Sequence, residues 1–106
     1  MRRLAIISLL AAPLAMISAA LAASDIIQKD KQFSETAISV KSGDKVHFIN
    51  DDNVTHNITV VDPGGQSRPG VVQKPGEASD VVFDKTGTNE VRCLIHPKMK
   101  MTVEVK

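Results

Sequence analysis

From residue 37 onward the chain alternates between apolar and polar positions. Ile38 and Val40 are one polar residue apart and run into Ser42-Gly43-Asp44, a turn signal. The stretch Lys45-Val46-His47-Phe48-Ile49 repeats the spacing and ends in the polar cluster Asn50-Asp51-Asp52-Asn53. Asn57-Ile58-Thr59-Val60-Val61 follows, halted by Asp62-Pro63-Gly64-Gly65. From Gln66 to Gly76 two Pro-Gly pairs predict mostly loop, with Val71-Val72 as a short edge strand. Asp80-Val81-Val82-Phe83 resumes the alternation, Gly87 turns it, Glu90-Val91-Arg92-Cys93 forms another strand, and Met101 to Lys106 the last. A period of two with no helical repeat, in short runs cut by turns, predicts a small all-β sandwich or barrel. No internal repeat or second domain interrupts it.

The first residues follow a different rule. Arg2 and Arg3 precede an apolar run that carries no charge until Asp25 and ends in the small-residue pattern Ala20-Leu21-Ala22. A basic start, an apolar middle and a small-residue end make residues 1–22 a secretory signal peptide, with residues 23–106 as the exported domain. The competing reading is a retained membrane anchor, because about 20 apolar residues span a bilayer; Pro13 and the alanine-rich end favour cleavage. The expected location is therefore a bacterial periplasm or its equivalent.

Removing residues 1–22 from the 106 leaves 84, enough for one domain with a thin core. Such exported domains are usually stapled by disulfides, but Cys93 is the only cysteine, so a bound metal becomes the alternative staple. Without Arg2 and Arg3, 11 basic residues face 12 acidic ones, a net charge of −1 with neutral histidines. That balance provides no footprint for nucleic acid or an anionic membrane surface.

Metal chemistry has an obvious home in CLIHPKMKM, residues 93–101. Cys93, His96 and Met99 are three apart, so the chain after the Cys93 strand must curl tightly for them to converge. Pro97 suits that loop, since it fixes its own φ and disfavours helix at the residue before it. A fourth group has to come from elsewhere. His56, where a polar loop re-enters a strand ahead of Asn57, is the natural candidate. His47 lacks a partner at metal spacing and is expected to be an ordinary surface histidine. Thiolate and thioether suit Cu(I), imidazole suits both copper oxidation states, and two His, one Cys and a distant Met form the blue-copper set. Zinc competes for Cys and two His but gains little from Met. A Cys–His nucleophile is the third reading, with little room for a substrate cleft in so small a sandwich.

These residues resemble the cupredoxin family, most of all its amicyanins and next its plastocyanins. The similarity runs over nearly the whole exported part: FSETAISVKSGDKVHFINDD, then THN, then CLIHPKM. The resemblance implies a Greek-key β-sandwich holding one copper ion on His56, Cys93, His96 and Met99, with Asn57 tying the two ligand-bearing segments together near the Cys93 sulfur. It implies a monomeric, non-enzymatic one-electron carrier whose partners are periplasmic redox proteins; the alternative function is copper delivery or buffering. Counting from His96, Met99 matches the amicyanin spacing and Met101 the longer plastocyanin one. Strand parity decides between them, because Met101, Val103 and Val105 share one face of the last strand and Met101 is thereby committed to the core. The family's common tyrosines before the ligand cysteine are absent, with Asn89, Val91 and Arg92 in that region. Arg92, Lys98 and Lys100 could steer an acidic partner or be ordinary solvated surface.

Overall fold

The computed structural model describes residues 25–106, so the expected signal peptide over residues 1–22 lies outside it. Among the described residues nine strands form: β1 (Ile26–Lys29), β2 (Gln32–Phe33), β3 (Ala37–Val40), β4 (Asp44–Asn50), β5 (His56–Val61), β6 (Val71–Gln73), β7 (Ala78–Phe83), β8 (Gly87–Arg92) and β9 (Lys100–Val105). One sheet has the order β2-β1-β4-β7, the other β3-β9-β8-β5-β6. The chain crosses between sheets after β2, β3, β4, β6 and β7, which gives the Greek-key β-sandwich that the alternation and the resemblance lead one to expect. β1 with β4 and β3 with β9 run parallel; the other pairs are antiparallel.

The core follows strand parity. Met101, Val103 and Val105 of β9 are all buried and alternate with exposed or half-buried neighbours. On β4 Val46 and Phe48 point inward, and Phe48 meets Phe33 of β2 edge to face at 6.1 Å between centroids. β5 is buried over five consecutive residues, His56 to Val60, and lies between β8 and β6 in its sheet.

The alternation did not reveal β1 and β2. Their turn explains why. Asp30 and Lys31 link them with φ of 53° and 56°, a two-residue hairpin of the kind normally announced by Asn-Gly or Gly-Gly. Neither residue carries that signal. The inward positions of β1 are Ile26 and Gln28, and a fully buried glutamine breaks the hydrophobic pattern.

Candidate metal centre

The site is assembled at one end of the sandwich by two neighbouring strands. β5 begins at His56. β8 ends at Arg92, one residue earlier than the alternation suggests, and Cys93 opens the loop that leads into β9. This loop is the tip of a hairpin: Arg92 pairs with Lys100, the Cys93 N–H donates to the Met99 carbonyl at 3.1 Å, and the Met99 N–H donates to the His96 carbonyl at 2.9 Å. The ladder thus continues one step past the strands and leaves residues 94–98 to form the bend. Within it Pro97 has no N–H to leave unpaired.

Three donor atoms converge there. His56 Nδ1 is 3.8 Å from Cys93 Sγ, His96 Nδ1 is 3.7 Å from the same sulfur, and the two Nδ1 atoms are 3.2 Å apart. His56 and Cys93 are fully buried, and His96 is half-buried. The structure therefore brings together three of the four residues singled out from the sequence. The fourth, Met99, is buried beside them at the base of the loop. Met101 points into the core one residue into β9, as its parity requires. His47 is no part of this constellation: it is half-buried on β4 in the other sheet, with Nδ1 2.6 Å from Asp80 Oδ1 across the β4–β7 ladder.

The protonation states follow from the partners. His56 Nε2 lies 2.9 Å from Asp52 Oδ2. The Asp52 carboxyl is pushed down to about 2, chiefly by the Lys31 backbone N–H and then by His56. An ionised carboxylate can only accept, so Nε2 donates to it and Nδ1 is the nitrogen turned toward the sulfur. On His96, burial lowers the pKa and the nearby His56 and Lys31 lower it further, which keeps that imidazole neutral. The Cys93 sulfur accepts a hydrogen bond from the Asn57 N–H at 3.3 Å. Asn57 Oδ1 in turn accepts from Thr59 Oγ1 at 2.6 Å and from the Leu94 N–H at 3.4 Å. One side chain thereby joins β5 to the ligand-bearing loop.

Such a set suits a metal ion. A triangle with sides of 3.2, 3.7 and 3.8 Å has a centre about 2.1 Å from each corner, close to the usual metal–imidazole length of about 2.0–2.1 Å. Soft sulfur with two imidazoles, and a thioether at hand, match copper better than zinc.

Asp52 is the functional residue that the sequence did not mark. It sits in a run of four polar residues, and only the fold shows that its side chain, unlike that of Asp51, turns inward onto His56. Outside the donor triangle, Leu94 and Ile95 are exposed. A hollow of about 430 Å³ beside His96 is lined by Lys31, Gln32, Ile95, Pro97 and Lys98. Arg92 is engaged by Glu90 at 2.9 Å, whereas Lys31, Lys98 and Lys100 have no carboxylate within ion-pair distance among the described residues.

Comparison with known proteins agrees with this picture. The sequence profile of the copper-binding proteins of the plastocyanin/azurin family matches residues 22–106. The methylamine utilization protein MauL of Methylorubrum extorquens is 28% identical over 74 residues, covering 70% of this chain and 65% of its own length. The chain thus spans just under two thirds of that relative. A reduced amicyanin variant superposes with a TM-score of 0.71 at 28% identity, over 80% of this chain and 83% of its own. Amicyanin from Paracoccus versutus, at 20% identity, a TM-score of 0.71 and coverage of 79% and 81%, shares the fold.

Proposed function

Because the chain belongs to the plastocyanin/azurin family of copper-binding proteins, we propose that it is a mobile one-electron carrier of the periplasm, with His56, Cys93, His96 and Met99 as the ligands of a single copper ion. The observation that carries this reading is the closed donor triangle, with two of its corners fully buried and the third at the surface. Copper held there supplies one-electron chemistry between Cu(I) and Cu(II). The protein's own part is to hold the donors still. His56 is locked by Asp52, Cys93 by the Asn57 N–H and the Met99 carbonyl, and His96 by its carbonyl contact with Met99. A set that cannot rearrange needs little reorganisation when its charge changes, which favours fast exchange. Met99 would be the fourth and weakest donor and would tune the potential.

His96 is the exit. Its ring alone among the three donors reaches the surface, where Leu94 and Ile95 form an apolar rim. A donor or acceptor protein seated on that rim would excludes water from the shortest electron route. Lys31 and Lys98 beside it favour an acidic partner face. Export by a cleaved signal peptide over residues 1–22, leaving the 23–106 domain, and a monomeric, non-catalytic role complete the reading.

The test combines spectra with kinetics. Loaded with Cu(II), the protein should show an intense visible thiolate-to-copper band over very weak absorbance near 280 nm, as it has no Trp or Tyr. A colourless Cu(II) complex with Cys93 still free would sink the copper–thiolate assignment. Electron self-exchange should be fast and Cu(I) transfer to a chelator slow; slow exchange with rapid copper loss would instead identify a copper-delivery protein.

A further inference from the structure

The register of β6 against β5 contains an extra residue. Further from the site, Val61 faces Ser67, with the Asp62 N–H donating to Gln66 and the Arg68 N–H to Val60. Nearer the site, Ile58 faces Val71, Asn57 faces Val72 and His56 faces Gln73. Between these pairings, Arg68, Pro69 and Gly70 stand opposite Thr59 and Val60 alone. Three residues against two make a β-bulge, a device that bends a strand and redirects what lies beside it. Proline, which lacks a ladder donor, is tolerated at such a place.

The glycine of this bulge lies against Asn57. A Cβ placed on Gly70 would stand 2.2 Å from Asn57 Nδ2, 3.1 Å from its Cγ and 2.9 Å from Thr59 Oγ1. A side chain there would force the Asn57 amide to shift, although Gly70 itself is exposed. The reason is local contact and not backbone conformation. We propose that the Arg68–Gly70 bulge is a positioning device for the metal centre, with the Gly70 backbone acting as a stop against the Asn57 amide. The stop holds Asn57 Oδ1 toward Thr59 and Leu94, and so keeps the Asn57 N–H on the Cys93 sulfur. Neither residue of the Pro69-Gly70 pair touches the donor atoms. Their effect travels through one amide.

This inference rests on the copper reading for its redox consequence, yet the contact can be tested in metal-free protein. Gly70→Ala should move the amide NMR resonances of Asn57, Leu94 and Cys93 in the apoprotein and raise the alkylation rate of the Cys93 thiol. In the copper-loaded protein it should shift the thiolate-to-copper band and the reduction potential, and lower copper affinity by about ten- to a hundredfold, as lost outer contacts do. In an Asn57→Ala background the amide is gone, so adding Gly70→Ala should change none of these further. If Gly70→Ala alone does not fold, the double variant should recover folding. Independent, additive effects of the two substitutions would overturn the proposal, as would an unmoved Leu94 and Cys93 in apo Gly70→Ala or a double variant that still fails to fold. A colourless wild-type Cu(II) complex would remove the copper reading while leaving the apoprotein result to stand by itself.

Discussion

Asp52 shows how much of the site depends on single side chains behind the donor atoms. It accepts from the Lys31 N–H at 2.9 Å and from His56 Nε2 at 2.9 Å, so it fixes both the tautomer and the tilt of the buried imidazole. Replacing it with alanine should lower copper affinity by about ten- to a hundredfold, read by competition with a chelator. Asp52→Asn, which keeps an acceptor oxygen without the charge, should lose less; equal losses would show that the oxygen counts for nothing without its charge. The two methionines separate in the same way. Met99→Leu should alter the visible spectrum and the potential while keeping the fold, since the side chains are of similar volume. Met101→Leu should leave both alone and cost under about 1.5 kcal/mol in denaturant unfolding. The reverse pattern would make Met101 the fourth donor. Buried amides were the least legible feature at this scale. Gln28, Asn50 and Gln73 are all fully buried, a placement contrary to the residue type; Asn50 Nδ2 donates to the Val54 and Gln73 carbonyls and Gln73 Nε2 to that of Phe48, whereas the Gln28 amide meets no hydrogen-bond partner among the described residues.

At the scale of elements, the ligand loop owes its shape to the β8–β9 hairpin, and the turn after β5 shows comparable local control. Asp62 Oδ1 accepts from the N–H groups of Gly64 and Gln66, both at 2.9 Å, and Oδ2 receives Lys85 Nζ at 3.0 Å. The Gln66 N–H above all, then Lys85, holds the Asp62 carboxyl below its ordinary value of 3.8. A folded pKa below the unfolded one stabilises the fold above the unfolded value, and the contribution is lost as pH falls through the folded value. Wild type should therefore be more stable than Asp62→Asn by a constant margin from about pH 5 to 7, and the margin should close on acidification below the unfolded pKa. Denaturant titrations across that range check it; a margin independent of pH would remove the charged clamp. The turn itself was readable as Asp-Pro-Gly-Gly. What lay beyond reading was the return of the chain along β5 with its bulge, because hydrogen-bond register depends on which strand lies alongside and leaves no local mark.

For the molecule as a whole, charge is balanced in number and uneven in place. Lys31 and Lys98 flank the His96 hollow with no carboxylate in its lining, so partner association should weaken as salt rises. Lys31→Glu together with Lys98→Glu should reduce the rate of electron exchange with an acidic partner at low salt, while spectrum and copper retention stay as in wild type. Leu94→Glu should slow exchange by disturbing the apolar rim, with the same spectral control. Stopped-flow measurements over a salt series distinguish the two contributions, and rates insensitive to both salt and the lysine substitutions would remove the electrostatic part of the docking surface. The sequence had already pointed to Lys98. Lys31 enters only because the β1–β2 hairpin, unread in the pattern, folds its turn against the site.

By itself the sequence determined the class of the fold and the chemistry of the donors. Period-two alternation from Ile38 to Val105 specifies strands with one buried face, and Cys93, His96 and Met99 sit close enough in the chain for a single bend to gather them. Strand parity alone was sufficient to place Met101 in the core. Tertiary structure decided which groups turn onto the site: Asp52 rather than Asp51 behind His56, Lys31 beside His96, and Gly70 against Asn57. The first depends on the Lys31 N–H that holds the loop before β5, the second on the stacking of the two sheets, and the third on the pairing of β5 with β6. Such pairings carry no periodicity, so no reading along the chain could have singled them out.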